Sequence, residues 1–131
     1  MALRVLFVED NPVTQASMTK ALKNRGYALR SATDLASALS FLNKGEIFSH
    51  LICDYDLAGE NGLVVAKKFN ELFPKAPISI FTGHESFLQR ADVNQFLSEN
   101  PLSRALHIIY KPIDQEQIFG WLSSSASTGR Q

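Results

Sequence analysis

Five short apolar runs constrain this chain more than any other feature. Leu3–Val8, Tyr27–Ala32, Leu51–Cys53, Ile78–Phe81 and Leu106–Tyr110 are of strand length, and longer stretches with helical spacing separate them. Three of the runs are nearly unbroken in Val, Ile, Leu and Phe, as strands covered on both faces must be, while Tyr27–Ala32 is the weakest. Helix starts are marked by Asn11 ahead of Pro12 and by Asp34 ahead of Leu35, Ala38, Leu39 and Leu42. Gly26 and Gly45 stand where helices end. Further helices are predicted over 61–73, stopped by Pro74, over 85–98, and over 114–124. Strand and helix alternate five times, which requires right-handed parallel crossovers. The expected fold is therefore α/β: a doubly wound five-stranded parallel sheet with helices on both faces.

The length of 131 residues suits one domain, expected over 1–124 with a flexible Ser-rich tail or linker over 125–131. Thirteen Lys and Arg balance thirteen Asp and Glu, so no basic excess points to nucleic acid or to a membrane surface. No stretch approaches a membrane span, and the first apolar run is too short and too soon acidic for a signal peptide. A single cysteine, Cys53, read as a small buried hydrophobe, fits a reducing compartment, so a cytoplasmic location is expected.

Ligands in open parallel sheets bind beyond the carboxyl ends of the strands. There the sequence places Glu9 and Asp10 after the first run, Asp54 and Asp56 after the third, Thr82 after the fourth and Lys111-Pro112 after the fifth. No Lys or Arg occurs between Gly45 and Ala66 to neutralise the acids of the third loop. Gathered carboxylates repel one another unless a cation is present, and hard oxygen ligands suit Mg²⁺. Lys111 adds positive charge and Thr82 a hydrogen-bond donor for a phosphoryl oxygen, so the set reads as a phosphoryl-transfer site. Each residue alone is an ordinary loop residue; the joint order at successive strand ends carries the inference.

These segments resemble the receiver domains of the two-component response-regulator family. VLFVEDNP (5–12), LICDYDLAGENG (51–62), ISIFTG (78–83) and IIYKP (108–112) carry the likeness, which spans residues 3 to 122. The resemblance implies a flavodoxin-like sheet of strand order 2-1-3-4-5. It implies Asp54 as phosphoacceptor, with Glu9, Asp10, Asp54 and the backbone carbonyl of Asp56 holding Mg²⁺. Thr82 and Lys111 would contact the phosphoryl group. It further implies a sensor histidine kinase or histidine phosphotransfer protein as donor. The output partner, unknown, would dock on the face of the fourth helix, fifth strand and fifth helix. Such a domain is a self-modifying signalling module rather than an enzyme acting on a metabolite.

Some positions depart from the family pattern. Ala58 replaces a common proline, predicting a looser loop, and Asn61 replaces a frequent Asp. Ile108 stands where many members carry an aromatic switch residue, so altered coupling from Thr82 is expected. The stretch Ser98–Ala105 is surplus, with an extra helical turn predicted at Asn100-Pro101. His84, two residues past Thr82, reads as a solvated loop histidine, with an influence on water access to an acyl phosphate as the alternative. His50, His84 and His107 are too scattered for a metal motif. Trp121, Ile118 and Leu122 have core spacing; Phe87 and Phe119 are candidates for exposed partner faces. Lys20, Lys23 and Arg25 read as a solvated face.

Two other readings compete. Asp54-Tyr55-Asp56 after an apolar strand mimics the nucleophile motif of haloacid-dehalogenase-like phosphatases, although those enzymes need acids after the lysine strand, where only Asp114 and Glu116 follow Lys111. A receiver used for docking independently of phosphorylation is the other.

Overall fold

The computed structural model describes residues 3–128. Five parallel strands form the central sheet: β1 (Arg4–Val8), β2 (Ala28–Ala32), β3 (His50–Asp54), β6 (Ile78–Thr82) and β7 (His107–Tyr110). Their spatial order is β2-β1-β3-β6-β7, the predicted 2-1-3-4-5 arrangement counted over the main strands. Two short strands, β4 (Asp56–Leu57) and β5 (Glu60–Asn61), pair antiparallel in a small hairpin after β3 that the sequence did not announce.

Five helices cover the sheet. On one face α1 (Pro12–Asn24) and α5 (Gln115–Thr128) pack over Val5, Phe7, Ile52, Phe81 and Ile109. On the other, α2 (Leu35–Asn43), α3 (Leu63–Leu72) and α4 (Ala91–Glu99) pack over Leu6, Val8, Leu51, Cys53 and Ile80. β3 and β6 are buried along their whole length because both faces are covered, which is why their sequences lack polar alternation. The caps are those anticipated: Asn11 Oδ1 accepts the amides of Val13 and Thr14, and Asp34 Oδ1 that of Ser37. Cys53 is buried, and burial pushes its thiol up.

Several boundaries differ from expectation. The predicted 85–98 helix is split: a single 3₁₀ turn over Phe87–Gln89 precedes α4, because Arg90 adopts extended backbone between them. No extra helical turn forms at Asn100-Pro101. Asn100 instead ends α4, its amide and side-chain Nδ2 both donating back to the Phe96 carbonyl at 2.8 and 3.0 Å. The surplus segment is pinned down by Ser103 to the Pro74 carbonyl and by Arg104 to the Ser125 carbonyl. Helix α5 continues to Thr128, four residues past its expected end, while 129–131 of the expected tail lie outside the described residues. Phe87 and Phe119 are buried rather than exposed, Phe87 within the 3₁₀ turn, edge-on to Tyr55, and Phe119 beneath the Arg25 guanidinium, 4.0 Å from its ring. Ile118 and Leu122 are core residues as read.

At the amino ends of the strands, His50 and His107 flank Trp121 of α5, with ring centroids 5.4 and 5.3 Å away. His50 bonds Ser49 and Ser125 through its two nitrogens, both at 2.9 Å. Burial and the Arg104 charge lower its pKa to about 4.

Candidate functional site

The parallel ladders set the site. Val8 pairs with Cys53 and Asp54 with Phe81, so Glu9 follows β1 beside the end of β3, and Thr82 lies one step beyond Asp54's partner. Main-chain bonds extend the ladders past the strands: Tyr55 N–H donates to the Phe81 carbonyl at 2.8 Å and Lys111 N–H to the Thr82 carbonyl at 2.8 Å. Glu9, Asp54 and Thr82 are buried, although two of them are acids. The Lys111–Pro112 peptide bond is cis.

Carboxylate oxygens of Glu9, Asp10 and Asp54 lie within 4.8 Å of one another. Among the described residues no other group of three or more His, Cys, Asp or Glu lies close enough to share an ion. Burial, then the hydrogen bond and negative charge of Asp54, raise the Glu9 carboxyl from 4.5 to about 8. Lys111 Nζ reaches Asp54 Oδ2 at 3.0 Å. Burial opposes the Lys111 charge, but Asp54, Glu9 and Asp10 together more than reverse this and raise its pKa. Three hard oxygen donors, two of them buried, gathered beside the single ammonium of Lys111, fit a hard divalent cation.

Thr82 Oγ1 accepts the His84 amide at 3.0 Å, and a hydroxyl accepting in this way keeps its own hydrogen for another acceptor. Lined by Glu9 of the acid cluster and by Lys111, a groove of about 450 Å³ opens between Asn11, Val13 and Thr14 of the α1 end and Pro112 and Ile113. The sequence is similar along nearly its whole length to one known family, whose receiver-domain model matches residues 5–122. The chain belongs to the response regulator receiver domain family.

Among the relatives of this receiver domain is the sensor protein TorS of Escherichia coli K12, 29% identical over 114 residues, 87% of this chain and 12% of that protein. The transcriptional regulatory protein PhoP of the same strain is 26% identical over 106 residues, 81% of this chain and 47% of that protein. The chain thus spans less than half the length of these curated relatives. A crystal structure of a Burkholderia pseudomallei response regulator with a phosphorylated aspartic acid, calcium ion and citrate is 26% identical. It superposes with a TM-score of 0.74 over 98% of this chain and 71% of that one.

This membership favours the signalling reading over the phosphatase one. Asp114, an acid the phosphatase would need, is engaged at the start of α5, accepting the Glu116 amide at 3.0 Å. Among the described residues no helix is long and apolar enough to cross a membrane.

The loop after Asp54 folds into the β4–β5 hairpin. Ala58 and Gly59 have φ of 51° and 89°, as the two central residues of a tight β-hairpin turn require, so the backbone at 58 cannot take proline's φ near −65°. Asn61 Oδ1 accepts the Leu63 amide at 2.8 Å, holding the start of α3. Gly62 was passed over in the sequence, yet a Cβ there would overlap the main-chain carbonyl of Asp54. Also missed were Tyr55, Arg90 and Asp92, which meet across the β6–α4 loop; only the Asp-Tyr-Asp spacing hinted at Tyr55. Ile108 packs against the α3–α4 side of the core and Tyr110 is exposed, so β7 carries no inward-facing aromatic on that side.

Proposed function

We propose that this receiver accepts a phosphoryl group on Asp54 and reports it through altered binding to a partner. Contact between the Lys111 ammonium and an almost fully buried Asp54 inside a cluster of acids carries the reading. Mg²⁺ is the cation we assign to Glu9, Asp10, Asp54 and the Asp56 carbonyl; bound there, it neutralises charge on phosphoryl oxygens. Asp54 Oδ attacks phosphorus in line as the P–N bond of a donor phosphohistidine breaks, its electron pair returning to the imidazole. Lys111 offsets the charge gathering on the equatorial oxygens, and Thr82 donates to one of them. The acyl phosphate is later lost to water in a self-catalysed step. To His84, whose Nε2 is 3.3 Å from Asp56 Oδ2, we assign an influence on that water's access.

The donor is a sensor histidine kinase or histidine phosphotransfer protein, and the groove between α1 and Ile113 suits the approach of its histidine. The output face is that of α4, β7 and α5, and the location is cytoplasmic. Residues 1–124 form the receiver unit.

The test is Mg²⁺-dependent labelling by acetyl phosphate, followed by intact mass. One phosphoryl group is expected on the native protein and none on Asp54→Asn. Labelling that ignores Asp54 would overturn the reading and leave phosphorylation-independent docking. Turnover of a generic phosphatase substrate lost in Asp54→Asn would favour the phosphatase.

A further inference from the structure

The residue immediately after Asp54 is bonded to a helix that the phosphoryl chemistry itself does not touch. Tyr55 is buried, and its hydroxyl donates to Asp92 Oδ2 in the first turn of α4. The other oxygen of Asp92 accepts Arg90 Nε at 3.2 Å. The Arg90 guanidinium lies 5.4 Å from the Tyr55 ring centroid, and its Nη1 is 3.4 Å from His84 Nδ1. His84 Nε2 in turn meets Asp56 Oδ2 at 3.3 Å. The chain of contacts therefore runs 55–92–90–84–56 and closes on itself, since Tyr55 and Asp56 are neighbours in sequence. Inside it the Tyr55 ring meets His84 and Phe87 edge-on, with centroids 5.4 and 5.0 Å apart.

Helix α4 is contacted by this circuit at its start. It is nine residues long, too short to be stable by propensity, and no side chain caps its first amides. Its one acid in the first turn, Asp92, is turned toward Tyr55 and Arg90. Both ends of the circuit also touch the reacting centre. Tyr55 shares a peptide bond with Asp54, and the His84 amide is held by the Thr82 hydroxyl. On β7, Ile108 offers neither a polar group nor a ring to do the same.

We propose that Tyr55 couples the phosphoryl state of Asp54 to the position of α4 through Asp92, Arg90 and His84. The proposal rests on Asp54 being the phosphoacceptor. A phosphoryl group places new negative charge beside Asp56 and recruits the Thr82 hydroxyl. Arg90 and His84 stand between that charge and Asp92, so attraction toward the site weakens their hold on the helix. The two states thus differ in real contacts at α4, as any coupled transition requires.

The experiment compares amide NMR shifts of wild type, Tyr55→Phe and Asp92→Asn on loading with beryllofluoride and Mg²⁺. Tyr55→Phe keeps the ring and deletes only the hydroxyl; Asp92→Asn keeps the helix and weakens the acceptor. Both variants should load with half-saturation within about threefold of wild type and shift Thr82 and Gly83 normally, while the response of amides 91–99 falls to less than about half. Undiminished α4 shifts in both variants would overturn the coupling alone. A wild type that shows no Asp54-dependent response at all would overturn the phosphoacceptor reading, and the coupling with it. If one variant does not fold, the other decides by the same measure.

Discussion

Lys111 Nζ and Asp54 Oδ2 are 3.0 Å apart, although β7 and β3 are not neighbours in the sheet. The lysine reaches across the end of β6, and its backbone is placed by the bond from its amide to the Thr82 carbonyl. Replacing Lys111 by Ala should leave the fold intact, because the side chain is partly exposed, yet slow labelling of Asp54 by acetyl phosphate by about a hundredfold. Labelling at the native rate would show that the ammonium does not stabilise the transferring group.

The acid cluster predicts a stability that falls as pH rises when no metal is present. Glu9 holds its proton to about pH 8 in the folded chain but ionises near 4.5 when unfolded, so the folded state binds the extra proton between these values. Metal-free protein should lose a few kcal/mol of unfolding free energy between those limits, read by urea titration in chelator. Glu9→Gln should flatten the profile, and Mg²⁺ should restore stability at pH 8 by binding the folded state. A profile in Glu9→Gln as steep as in wild type would refute this.

His50 acts with the opposite sign. Its pKa is lowered from 6.5 to about 4, so the folded chain favours the neutral ring. Its contribution is complete above pH 6.5 and is lost as pH falls toward 4, at a cost of about 3 kcal/mol. His50→Gln should remove that acid-side loss in urea unfolding at pH 7 and pH 4.5. Between 4.5 and 6.5 the Glu9 and His50 slopes oppose, so the wild type should vary little there, and the two single variants should tilt in opposite directions.

The turn after Asp54 gives a backbone prediction. Ala58 sits at φ 51°, strained for any residue with a Cβ. Ala58→Gly should raise stability by about 0.5–1 kcal/mol, whereas Ala58→Pro should lower it by more than about 1 kcal/mol. Thermal unfolding of the two variants checks both signs; a stabilised proline variant would mean that the hairpin is not the conformation in solution.

Much of this was legible from residue order alone. Apolar runs of strand length and capped helical stretches specify a doubly wound sheet, because a parallel crossover has one favoured hand and every buried strand must be apolar on both faces. The position of Glu9, Asp10, Asp54, Thr82 and Lys111 at strand ends followed from the same pattern, since strand ends share one sheet edge. Only the tertiary structure decided the rest. The Tyr55–Asp92 bond joins residues 37 apart, and the His50–Ser125 bond residues 75 apart, so no local spacing marks either. Ala58 looked like a lost proline because sequence shows which residue stands at a position, not which side of the φ map the turn requires. Ladder register and packing between distant elements set that geometry, and they exist only once the chain has folded.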